Sequence, residues 1–89
     1  MTHCGGWGPI QTATPKVQEL CNKVILQIEE KLALNISCIN ALQYIEQAVS
    51  GDKYRILAQS CDHYLLINIR VPFHGAEPEL GEAVLIPNH

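Results

Sequence analysis

From Val17 to Leu32 an apolar residue returns at steps of three and four, through Leu20, Cys21, Val24 and Ile28. That spacing draws one apolar stripe along an α-helix of about five turns. Thr14-Pro15 supplies its start, a capping hydroxyl followed by a proline whose missing N–H costs nothing at the first helical position. Glu19 and Lys23 pair four apart on the other side, and Glu29-Glu30-Lys31 reads as a solvated charge run. Nothing after Asn35 repeats this period. A lone amphipathic helix must bury its stripe against something else, and the remaining chain offers strands.

Residues Cys38–Ser50 contain Ile39, Tyr44, Ile45 and Val49 without Gly or Pro, which predicts a long strand although the alternation is blurred. Ser50-Gly51-Asp52 is the turn, since Gly takes the positive φ of a tight hairpin. Tyr54–Ser60 returns, and Cys61-Asp62-His63 turns again. Leu65, Ile67, Ile69 and Val71 then alternate with Tyr64, Leu66, Asn68 and Arg70, the cleanest strand in the chain. Pro72 ends it, because proline cannot donate to a ladder. Gly75–Glu82 reads as a loop or the start of a last short strand through Val84–Ile86. The fold class expected is α+β, one long N-terminal helix packed on an antiparallel sheet of four to five strands. Residues 1–89 form a single domain in this reading, and residues 1–12, rich in Gly and Thr with Pro9, form a flexible arm.

Composition narrows the function classes. With 47% hydrophobic and 17% charged residues the 89-residue chain should fold around one small core. The net charge is −3 and the six Lys and Arg are scattered singly, so there is no basic stripe for nucleic acid. The N-terminus has neither a basic start nor the apolar stretch of a signal peptide, and no run is long enough for a membrane span. The compartment expected is the cytoplasm, with Cys4, Cys21, Cys38 and Cys61 as reduced thiols. The Asn35-Ile36-Ser37 sequon should then stay unused.

Chemistry-bearing groups are few. Cys61-Asp62-His63 offers a thiol, a carboxylate and an imidazole, but neighbours on a turn rarely converge on one reacting atom, so a polar turn is the better reading. His3 and Cys4 have no further ligands at metal-site spacing, and neither a metal nor a cofactor is expected. Trp7, the lone tryptophan, lies in the arm, where it either anchors a partner or folds back on the body. In a one-helix meander the arm, the Ser50-Gly51 turn and the Pro72–Gly75 turn can all lie at one end. Such a wedge can enter a cleft without offering a catalytic group, although turn composition alone favours ordinary connections.

Gln47-Ala48-Val49-Ser50-Gly51 matches the Gln-x-Val-x-Gly motif of the cystatins, inhibitors of papain-like cysteine proteases. Upstream, Ala13-Thr14-Pro15, Gln18-Glu19, Lys23-Val24 and Glu29-Glu30-Lys31 resemble the helix of the stefins, the single-domain type 1 branch. The spacings from Gly5-Gly6 to that helix, and from the helix to Gln47, also suit stefins without gaps. The resemblance covers roughly Cys4 to Gly75. It departs from the stefin pattern in Phe73-His74, where Leu-Pro is usual, and in stopping at Ile86-Pro87-Asn88-His89, which implies a short last strand and an exposed edge.

What the resemblance implies is a helix wrapped by a five-stranded antiparallel sheet and reversible, competitive inhibition. Cys4, Gly5 and Gly6 would lie in the substrate cleft on one side of the protease's catalytic cysteine. Gln47, Ala48, Val49, Ser50 and Gly51 on the first hairpin, and Pro72, Phe73 and His74 on the second, would fill the other side. No residue of the chain would be catalytic. The alternative kept open is a cystatin-fold protein that does not inhibit and serves in interactions or oligomers. The implied state is a monomer, with a swapped dimer accessible if the first hairpin straightens.

Overall fold

A computed structural model describes residues 7–49, 51–61 and 63–86 of the chain. The first element is β1, Gln11–Thr12, and the helix follows in two pieces, α1 (Pro15–Lys23) and α2 (Ile25–Leu32). Thr14 caps α1 by accepting the Val17 N–H at 3.3 Å, with Pro15 in the first turn as the sequence predicts. The one long helix expected is divided at Val24. There the N–H bonds back only three residues, to the Cys21 carbonyl at 3.1 Å, while Ile28 bonds the Val24 carbonyl normally at 2.9 Å. Val24 and Ile25 are adjacent β-branched residues, which crowd a helical turn, and the stripe nevertheless stays on one face. Val17, Leu20, Cys21, Val24 and Ile28 are all buried.

At its end the helix stops on Ala33 in the left-handed region, φ 54, with the Leu34 N–H returned to the Glu29 carbonyl. Glu29 does more than face solvent. Its carboxylate accepts the Ile36 N–H at 2.7 Å and so folds the exit loop onto the helix. Gln18 makes the matching clip at the other end, donating to the Ile39 carbonyl and accepting the Ala41 N–H.

Four strands follow, β2 (Asn40–Val49), β3 (Gly51–Ser60), β4 (His63–Val71) and β5 (Glu79–Ile86). With β1 they make a five-stranded antiparallel sheet in sequence order. Tyr54, Ile56, Ala58, Leu65, Ile67, Ile69 and Ala83 turn inward and close the core against the helices. The blurred alternation of β2 comes from a register shift between Ala41 and Gln43, which returns both Ala41 and Tyr44 to the inner face. The last strand is not short. It begins at Glu79 and spans 8 residues, its register broken near Gly81.

Cys21 is fully buried, and loss of solvation pushes its thiol up to about 12 from the ordinary 9.0. Tyr54 is likewise raised, by burial first and then by the Glu46 charge, and Lys16 is raised mainly through its hydrogen bond to Tyr54. In each case the folded state holds its proton more tightly than the unfolded chain. The stabilisation they carry is therefore whole below the unfolded value and lost as pH rises through the folded one. Urea midpoints are expected to fall between pH 9 and about 12, and less steeply in Cys21→Ala. Identical alkaline profiles for the two proteins would mean that this thiol is not buried.

Candidate functional site

Two hairpin ends meet at one end of the sheet. The ladder between β2 and β3 runs out to Val49 and Gly51, and on the next pair of strands Asp52 lies opposite Val71. Gly51 has φ 96, and a Cβ on it would come within 2.7 Å of the Val71 carbonyl oxygen and closer still to that of Pro72. Only a residue without a side chain lets β3 begin against the backbone that leaves β4. The glycine of the first hairpin thus sets the position of the second.

The second hairpin then makes its own turn. The Ala76 N–H donates to the Phe73 carbonyl at 2.9 Å, with Gly75 at φ 86 in the third position. This is the hydrogen bond and the glycine placement of a type II turn. It lifts Phe73 and His74 into solvent, Phe73 to 67% exposure. An aromatic ring so exposed contributes nothing to the core and is available to a partner.

Part of the arm is tied to the same end. Gln11 and Thr12 pair with Tyr44 and Gln43, so the described arm is an edge strand rather than free chain. Before them, the Gly8 N–H donates to the Glu46 carbonyl at 2.9 Å. Trp7 folds back on the sheet, its ring under the Arg55 guanidinium at 4.8 Å. Of its two readings, the structure supports the second. The polypeptide therefore reaches Trp7 alongside Glu46, three residues before Val49 on the neighbouring strand.

Of the residues expected at the site, Cys4, Gly5, Gly6 and Ser50 lie outside the described residues. Ala48 and Val49 are the last two of β2, and Gln47, opposite Lys53, is half-buried. Gly51, Pro72, Phe73 and His74 are brought together as above. The sequence reading missed the Trp7–Arg55 stack and the Arg70–Glu79 pair, 3.7 Å apart and exposed on the strands behind the second hairpin. Register alone signals the latter, since Arg70 stands opposite Glu79. Among the described residues no three His, Cys, Asp or Glu side chains are grouped to hold a metal, and no helix is long and apolar enough to cross a membrane.

Relatives match the chain over most of its length. Cystatin-A2 of Dictyostelium discoideum is 34% identical over 76 residues, 85% of this chain and 80% of that protein. The chain belongs to the stefin branch of the cystatin family. Human cystatin-A is 32% identical over 77 residues, covering 85% of this stefin and 79% of its own length. Bovine cystatin-B is 37% identical over 68 residues, 76% and 68% of the two chains. No family model matches. Cystatins are protease inhibitors rather than enzymes, so this stefin is not a thiol enzyme built on Cys61 and His63.

Proposed function

We propose that this stefin is a reversible, competitive inhibitor of papain-like cysteine proteases of the cathepsin type, acting as a monomer in the cytoplasm. The observation that carries the reading is the close approach of the Gly51 backbone to the Val71 and Pro72 carbonyls, which sets the two hairpins side by side. Val49 and Phe73 supply apolar contact to the cleft, and Gln47 helps set the loop from β2. Cys4, Gly5 and Gly6 continue the arm beyond Trp7, where the small glycines allow backbone to approach the protease closely. The wedge presents no peptide bond to the protease's nucleophile and so blocks without being cut. Exchange of the helix and its strand between two chains would straighten the first hairpin and remove the tip.

Titration against papain with a small fluorogenic substrate tests this reading. Inhibition is expected to raise the apparent KM and leave kcat unchanged. Val49→Asp is expected to weaken it by about tenfold or more, because a carboxylate would be desolvated without a partner. Circular dichroism on the same sample checks that the variant is folded. A folded Val49→Asp that inhibits as well as the parent would remove the first hairpin from the contact surface, and a parent without inhibition would leave a non-inhibitory cystatin fold.

A further inference from the structure

The end of the sheet away from the hairpin tips carries chemistry that inhibition does not use. The β2–β3 ladder closes there with Asn40 opposite Gln59. The two chains stay together beyond it, since the Ser60 hydroxyl donates to the Cys38 carbonyl at 2.8 Å. One residue further, the Cys61 sulfur lies 3.9 Å from the Ser37 hydroxyl oxygen, aimed at the segment that holds Cys38. Both Cys38 and Cys61 are exposed, unlike Cys21. Cys61 also takes φ 55, a left-handed conformation ordinarily left to Gly, Asn or Asp. Extending the Asn40–Gln59 register by two residues on each chain sets Cys38 against Cys61, and residues facing each other in this way have the Cα separation a disulfide needs, roughly 4.4–6.8 Å.

We propose that Cys38 and Cys61 form a redox-sensitive thiol pair that closes to an intramolecular disulfide when it meets a disulfide oxidant such as glutathione disulfide. One cysteine thiolate attacks a sulfur of glutathione disulfide, forming a mixed disulfide and releasing one glutathione thiolate. The second cysteine thiolate attacks the protein sulfur of that mixed disulfide and displaces the other glutathione. Two protein thiols are oxidised, one glutathione disulfide is reduced to two glutathiones, and the two thiol protons leave to solvent or to the released thiolates. The bond latches the entry of β2 to the exit of β3 and leaves the hairpin tips, at the other end of both strands, unchanged. Cys21 takes no part, because its raised pKa and complete burial keep it a thiol.

Trypsin cuts after Lys16, Lys23, Lys31, Lys53, Arg55 and Arg70, so every cysteine falls on its own peptide. The full chain, reduced and then equilibrated with glutathione disulfide at mildly alkaline pH, is expected to yield the Cys38 and Cys61 peptides joined, with the loss of two hydrogens. Its thermal midpoint should rise by on the order of 10 °C, since the bond closes a long loop of the unfolded chain. Cys38→Ser is expected to show neither change and to carry glutathione on Cys61, and Cys61→Ser the converse. Glutathione on both cysteines of the parent without a joined peptide, or a link from either to Cys4 instead, would overturn the pair.

Discussion

Gly51→Ala is expected to weaken inhibition of papain by well over tenfold and to destabilise the chain by about 2–4 kcal/mol. Two terms add. An L-residue at φ 96 is strained wherever it stands, and here its Cβ would also press on the backbone of Val71 and Pro72. Backbone atoms cannot swing aside as a side chain can, so β3 and the start of the second hairpin must separate. The separation spreads the wedge, which is why the loss of binding should exceed what the lost stability alone explains. Urea denaturation and an inhibition titration on one preparation measure both. A variant with parental stability would show that the strand ends do not approach as described. One that is destabilised but inhibits normally would place the binding surface elsewhere.

That contact marks the limit of what the residues disclose before folding. The helix was legible because its cap, its proline and its apolar stripe agree, and β4 because Leu65, Ile67 and Ile69 alternate without interruption. β2 was blurred because a local bulge lengthens the step between the inward-facing Ala41 and Tyr44 by one residue, and a strict period of two cannot register an inserted residue. The start of β5 was hidden by Glu79, Gly81 and Glu82, residue types that strands ordinarily avoid, although its ladder with β4 forms regardless. β1 is 2 residues long and owes its existence to partners on β2, so no local pattern announces it. At the site, the motif disclosed Gly51 and its positive φ but not the reason the position excludes a side chain. That reason lies on Pro72, 21 residues further along, and only the register of β3 against β4 brings it there. The same holds for Glu29, whose carboxylate finds the Ile36 N–H only after the helix has ended on Ala33.

Ile67→Ala is expected to remove about 2–5 kcal/mol of stability while leaving the inhibition constant of the folded protein unchanged. Ile67 is fully buried at the centre of β4, opposite Ile56 on one side and Ala83 on the other. Ala83 is too small to fill the vacated space, so a cavity remains. A chain of this length has roughly 5–10 kcal/mol in all, and the variant should therefore be folded in the cold and partly unfolded on modest warming. The next residue provides the control. Leu66 points to the opposite face, where it retains 36% exposure, and Leu66→Ala should cost about 1 kcal/mol or less. Comparable losses from the two changes would mean that β4 does not present alternate faces to core and solvent. The pair also separates the sheet's two tasks. Ile67 stabilises the platform from which both hairpins project, whereas Gly51 sets the distance between them. If the wedge acts as a preformed surface, weakening the platform lowers only the folded fraction, and changing that distance alters binding by the molecules that remain folded.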